Sequence, residues 1–129
     1  MDKLKTYTDE RGNLTLVESG NEIPFQITRA YWIYGVPENA ERGKHANKVS
    51  YQYLIAVNGS VDITLVDTAG RRNYHLDSKD KGLLVPPLTW NELTNYSNDA
   101  VLLVLASHTY DPETYINDYE EFIDFIRKE

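Results

Sequence analysis

The stretch RGKHANKVSYQYLIAVNG, residues 42–59, places one imidazole and two amides at a spacing that would hold a metal ion if the residues were different. In the pattern His-x-His, four residues, Glu, six residues, Gly, His45 takes the first position, Asn47 the second, Gln52 the third and Gly59 the last. Amide oxygens are weak neutral ligands, so one imidazole with two amides makes a poor transition-metal site. The chemistry left to the stretch is proton transfer. A neutral imidazole, with a solution pKa of about 6.5, suits a general base at neutral pH. The competing reading of His45 alone is a strand histidine satisfied by a backbone carbonyl.

These side chains need strands to position them. Turn signals recur at ERGN, SGN, GVPEN, NGS, DTAGRRN and DSKDKG, and short runs rich in β-branched and aromatic residues lie between them. NLTLVE, ITRAYWIYGV, VSYQYLIAV, VDITLVD, RRNYHLD, GLLVPP, WNELTNYS and AVLLVLASH read as strands of an antiparallel sandwich or barrel. Val61, Ile63 and Leu65 alternate with Asp62 and Thr64, the pattern of a strand with one wet face. VNGS reads as an Asn-Gly hairpin turn. In a strand, His45 and Asn47 project to one side; Gln52 breaks that parity, so a bulge or turn must intervene. If Tyr31 faces inward, Arg29 and Ile33 share its face and Trp32 points away. One domain spanning 1–129 is expected, with the β-structure over 1–110 and a terminal helix over 111–129. Asp111 is placed to cap that helix and Pro112 to start it. Tyr115, Ile116, Tyr119, Phe122, Ile123 and Ile126 form its apolar stripe, a docking face for the barrel or for a partner subunit.

Composition narrows the function classes. The 129 residues carry a net charge of -7, which argues against wrapping nucleic acid or coating an anionic membrane. The absence of cysteine excludes disulfides, thiolate zinc and a cysteine nucleophile, and it fits a cytoplasmic protein. MDKLKTYTDERG has no apolar run, so no signal peptide is expected, and no stretch approaches the roughly 20 apolar residues of a membrane helix.

Longer segments carry a resemblance: IPFQITRAYWIYGVP, ERGKHANK, GLLVPPLTWNEL and VLLVLASHTYDPETYINDY. The combination VLLVLAS…YD…YI…DY beside RGxHA is the specific part. From DERGNLTLVE to YINDYEEF the chain resembles the dTDP-sugar 3,4-ketoisomerases, the WxcM-like branch of the metal-free cupins. The resemblance implies an all-β jelly-roll cupin barrel with a C-terminal helix, a homodimer, a dTDP-linked keto-sugar in the barrel, and neither metal nor other cofactor. It makes Gln52 the ordinary residue of its position. Asn47 departs from the pattern, since relatives usually show HAH where this chain has HAN. A second cupin motif would bring a further histidine where Asn91 stands.

The residue roles follow from that resemblance. His45 is implied as the base and Tyr31 as the active-site tyrosine that donates to, or relays protons between, the sugar oxygens. Arg11, Arg29 and Arg42 lie in matching segments, and a guanidinium fork suits a diphosphate. Asn47 and Gln52 would hold sugar hydroxyls or orient His45, and Asn91 and Glu92 would face the sugar. Trp90 is expected in the core or an interface, and His75 and His108 at the surface. The implied reaction moves a ketone from C4 to C3 of a dTDP-4-keto-6-deoxyhexose through an enediol. The competing function is a non-catalytic sugar-nucleotide or glycan-binding cupin, suggested by Asn47 and Asn91. A 3,5-epimerase of the same nucleotide sugars ranks below both, because no His-Asp pair is evident near His45.

Overall fold

Alternating apolar and polar residues build the strands, and the alternation decides which face of each is buried. In the computed structural model, which describes residues 1–128, the strands are β1 (Asp2–Lys3), β2 (Lys5–Asp9), β3 (Gly12–Leu16), β4 (Arg29–Tyr34), β5 (Arg42–Asn47) and β6 (Gln52–Asn58). They continue as β7 (Val61–Asp67), β8 (Gly70–Leu76), β9 (Lys81–Val85), β10 (Trp90–Thr94), β11 (Val101–Ala106) and β12 (Tyr115–Ile116), before one helix, α1 (Tyr119–Arg127). One sheet runs β1-β9-β6-β11-β4, the other β12-β5-β10-β7-β8, and β2 with β3 forms a separate hairpin. The named pairings are antiparallel. This is the expected jelly roll with a C-terminal helix, its two sheets face to face rather than closed into one barrel.

Three apolar layers result. Between the sheets lie Leu54, Ile63, Leu65, Leu93, Leu102 and Val104, all buried. On the outer side of the first sheet, Tyr53, Ile55 and Leu105 pack with Leu4 and Ile23. On the outer side of the second sheet, Ala46, Val66 and Trp90 receive Ile116 and Phe122. Trp90 therefore fills an outer core layer, its ring 5.7 Å from that of Phe122. Among the described residues no helix is long and apolar enough to cross a membrane.

Two local expectations change. VNGS is a corner, not a hairpin: β6 pairs with β9 and β11 in one sheet, while β7 pairs with β8 and β10 in the other. Gly59 takes φ +64 there, and a Cβ would come within 2.2 Å of Ser97 Oγ and 2.8 Å of Ala100 Cα. The corner needs glycine both for its backbone and for the closeness of the β10–β11 loop.

The helix expected over 111–129 starts later. Asp111 does cap, accepting from Glu113 N at 3.1 Å, but what it caps is one 3-10 turn at Pro112–Thr114. Tyr115 and Ile116 then pair with Asn47 and Ala46 as β12. The helix begins at Tyr119 behind a second cap, Asp118, whose carboxylate accepts from Glu121 N at 3.1 Å. Ladder hydrogen bonds to β5 win over about two more helical turns. Glu129, the last residue of the expected helix, lies outside the described residues. The stripe docks on the chain's own sheet through Phe122, with Ile123, Phe125 and Ile126 packed against the same cluster.

Phe122 is fully buried and ties α1 to β5, β10 and β12. Phe122→Ala is expected to lower stability by about 3–5 kcal/mol in urea unfolding, the range for deleting a buried aromatic. A loss below about 1 kcal/mol would mean that the helix is not anchored there.

Candidate active site

Polar side chains reach the interior from four strands, β4, β5, β6 and β10. On β4 the alternation turns Arg29, Tyr31 and Ile33 to one face, while Trp32 points out and is 60% exposed. On β5 the same rule turns His45 inward and Ala46 outward into the helix layer. The chain then leaves the second sheet, turns through residues 48–51, and enters the first as β6 with Gln52 buried at its start. The intervening turn required by the parity of His45 and Gln52 is thus present. Asn47 closes it: its Oδ1 accepts from Val49 N at 2.9 Å and Ser50 N at 2.7 Å. β10 adds Asn91, whose Nδ2 donates to the His45 carbonyl at 3.3 Å. Gly43 makes room for it, since a Cβ at that glycine would lie 2.8 Å from Asn91 Oδ1.

Two cavities share a wall at this point. The outer, about 420 Å³, is lined by Arg29, Tyr31, His45, Tyr110, Tyr115 and Asn117 among others. The inner, about 80 Å³, is lined by Tyr31, Arg42, His45, Gln52 and Asn91 together with apolar core residues. Tyr31 and His45 line both cavities, one from each sheet.

The electrostatics keep both groups uncharged near neutrality. Burial pushes the His45 pKa below its ordinary value, and the positive charge of Arg42 pushes the same way. Burial raises the Tyr31 pKa, with Tyr115 adding to the effect and Arg29 opposing it. Gln52 Nε2 makes a long hydrogen bond, 3.4 Å, to the Tyr31 hydroxyl oxygen, which leaves the tyrosine's own proton to be donated elsewhere. The Arg29 guanidinium lies 4.7 Å from the centre of the Tyr31 ring and 5.6 Å from that of Tyr110. Its Nη2 donates to the Tyr115 hydroxyl at 3.4 Å, and its buried Nε has no hydrogen-bond partner among the described residues. A buried guanidinium nitrogen left without a partner beside a cavity is poised to receive an anion.

Of the residues singled out in the sequence, His45, Tyr31, Gln52, Asn91, Arg29 and Arg42 line one or both cavities. Three do not. Arg11 sits at the turn of the β2–β3 hairpin, largely exposed, with its Nη2 2.6 Å from Asp9 Oδ2. Glu92 faces away from the interior because its neighbour Asn91 faces in; its carboxylate accepts from Trp90 Nε1 at 2.9 Å on the helix side. Asn47 is buried but lines neither cavity, its carbonyl oxygen already taken by the turn. Sequence reasoning missed Tyr110 and Tyr115. The Tyr115 ring stands edge-on to the His45 ring, 4.8 Å between centroids at 75°. The run YINDY holds that signal, but its helical spacing draws Tyr115 into the apolar stripe. His75 pairs with Asp62 at 2.6 Å on the surface, and His108 is also exposed. Among the described residues no group of three or more His, Cys, Asp or Glu is placed to hold a metal ion.

Comparison with known proteins gives a consistent set of relatives. The family described as FdtA: WxcM-like, C-terminal matches residues 1–127. A TDP-4-oxo-6-deoxy-alpha-D-glucose-3,4-oxoisomerase from Aneurinibacillus thermoaerophilus is 40% identical over 124 residues, covering 96% of this chain and 89% of that protein. The sugar 3,4-ketoisomerase QdtA from Thermoanaerobacterium thermosaccharolyticum, solved with TDP, superposes with a TM-score of 0.93 at 40% identity, covering 98% of this chain and 92% of the other. A histidine-to-asparagine mutant of QdtA, solved with TDP-4-keto-6-deoxyglucose, superposes with a TM-score of 0.93 at 39% identity, covering 98% and 91%.

The lowered pKa of His45 can be read directly. An NMR titration of its ring is expected to have its midpoint below about 6.5, the value of an unperturbed histidine. Removing the Arg42 charge in R42Q takes away a repulsion on the imidazolium, so the midpoint should rise. A wild-type midpoint above the unperturbed value, or a fall in R42Q, would contradict this effect of burial and of Arg42.

Proposed function

The chain belongs to the FdtA, WxcM-like C-terminal family, and from that membership and the shared wall of the two cavities we propose that it is a metal-independent 3,4-ketoisomerase. Its substrate is a dTDP-4-keto-6-deoxyhexose, and its product carries the ketone at C3. The observation behind the assignment is the position of His45, half-buried and held neutral, lining with Tyr31 both the outer and the inner cavity.

The chemistry needs no change in oxidation state of the molecule as a whole. His45 removes the proton from C3, and the electron pair of that C–H bond forms the C3–C4 double bond of an enediol as the C4 oxygen takes a proton. The C3 hydroxyl then loses its proton and becomes the carbonyl, and a proton is returned to C4. Tyr31, protonated and already accepting from Gln52, relays the proton between the two oxygens. His45 then serves as the acid for C4. Arg29 receives the diphosphate in the outer cavity through its unpartnered Nε, with Tyr31 and Tyr110 flanking the cation. Arg42, Gln52 and Asn91 surround the sugar. Arg11, Asn47 and Glu92 take no part in substrate contact within one chain.

We further propose that the enzyme is a cytoplasmic homodimer. Support comes from the outer face of β4, an edge strand on which Trp32 and Tyr34 are 60% and 68% exposed. Apolar surface of that kind favours a partner, and a second copy is the natural one. Light scattering should give twice the chain mass of 14.9 kDa, falling to one chain mass if Trp32 and Tyr34 are both replaced by serine. A wild-type mass of one chain, or recovery outside the cytoplasm on cell fractionation, would count against the proposal.

Incubation with dTDP-4-keto-6-deoxyglucose in deuterated water tests the activity. The 3-keto product is expected to carry solvent deuterium at C4. His45→Asn should lower kcat by about 10²–10⁴-fold, the usual contribution of a positioned base, while TDP binding stays within a few-fold. Binding of TDP by folded wild-type protein with neither product nor exchange at C3 would favour the non-catalytic sugar-nucleotide binder instead.

A further inference from the structure

We propose that Asn47 is a positioning residue, whose side chain bolts the 111–116 segment to the β5–β6 turn and thereby holds Tyr115 against His45 and Arg29. The inference deepens the ketoisomerase reading and rests on it.

Asn47 shares the strand parity of His45, so an imidazole at that position would be a second acid or base. An amide cannot be either. Both lone pairs of its Oδ1 are used, by Val49 N at 2.9 Å and Ser50 N at 2.7 Å. Its Nδ2 reaches the other way, donating to Thr114 Oγ1 at 3.0 Å. Thr114 in turn donates from Oγ1 to the Asp111 carbonyl at 2.7 Å, and its own carbonyl accepts from Lys48 N at 2.8 Å. The next residue is Tyr115, whose ring meets His45 edge-on and whose hydroxyl accepts from Arg29.

The link matters because it adds a side-chain tie to a segment otherwise held by the buried Ile116, by the Lys48 N bond to the Thr114 carbonyl and by a short ladder. β12 is two residues long and pairs only with β5, through Tyr115↔Asn47 and Ile116↔Ala46. A two-residue ladder at a sheet edge frays readily, and Tyr115 forms part of the wall of the outer cavity. One side chain thus fixes both ends of the arrangement. Its oxygen sets the corner that delivers Gln52, and its nitrogen sets the strap that covers His45. A residue with a short amide is suited to this double task, whereas a single neutral imidazole accepts at only one nitrogen.

Thr114→Val separates the two tasks, because it removes the acceptor at the strap and leaves the turn contacts of Asn47 intact. Arg29 and Tyr31 on β4, Arg42 on β5 and Tyr115 on β12, the charged and titratable neighbours of His45, are all retained. Expected in T114V are a fall of about fivefold in kcat/KM, the scale of one lost hydrogen bond, and an upward shift of the acid limb of its pH profile as water reaches the imidazole. Thr114→Ser, which keeps the hydroxyl, should restore both. Asn47→Ala should show at least the T114V loss, and the double variant no more than N47A alone. NMR titration of His45 reads the same upward shift in a protein that turns nothing over. An inactive wild type with a shifted T114V midpoint would therefore sink the ketoisomerase reading while leaving the bolt intact. Wild-type kcat/KM and an unmoved His45 midpoint in T114V would overturn the inference.

Discussion

Between Asn47 and Gln52 the chain must cross from one sheet to the other, and every polar group of the site depends on how that corner is closed. The crossing is what sets His45 on one wall and Gln52 on the opposite one. Left open, it would expose two backbone N–H groups close to the buried interior, and an unsatisfied donor there costs about 1–3 kcal/mol. Asn47 satisfies both with one oxygen. The corner is therefore stabilised by a residue that a metal-binding version of the same pattern would devote to its ligand.

Around that corner the polar work divides cleanly between imidazole and amides. In the proposed reaction His45 is the group that takes and returns the proton, and its surroundings favour the neutral form. Tyr31 stays protonated and is oriented by Gln52. Asn91 fixes the backbone of β5 at His45 itself. In the proposed complex, Arg29, set against two aromatic rings with a buried nitrogen unpartnered among the described residues, would supply the charge that a diphosphate needs. An overall charge of -7 does not oppose this, because a guanidinium in a cavity acts over a few ångströms. Keeping His45 and Tyr31 uncharged in the interior keeps the cost of burying charge low.

Much of this was legible in the sequence because period-2 alternation is a local signal. It placed Arg29, Tyr31 and Ile33 on one face of β4, and it required a turn before Gln52. Applied one residue further it would also have turned Glu92 outward, since Asn91 faces in. What local signals could not carry was pairing. VNGS has the chemistry of a hairpin, but whether its flanking strands pair or part to separate sheets depends on distant neighbours. Asp111 and Pro112 are true cap and start signals, yet the helix they announce is overridden by a ladder to β5. Asn47 and Thr114, which meet there, are 67 positions apart in the chain. That override hid Tyr115, whose place over His45 exists only once β12 forms. The chemistry of Arg11 likewise suits an anion, but chemistry alone does not say where a hairpin points.

In the proposed reaction one imidazole, that of His45, moves the proton at C3 without a second imidazole or a metal. Chemical rescue tests it most directly. With His45→Ala, washout of the C3 proton of dTDP-4-keto-6-deoxyglucose into deuterated water should be nearly abolished, and added imidazole should restore it in proportion to the unprotonated form. Exchange in H45A at the wild-type rate, with no response to imidazole, would contradict the claim and move the base elsewhere in the cavity.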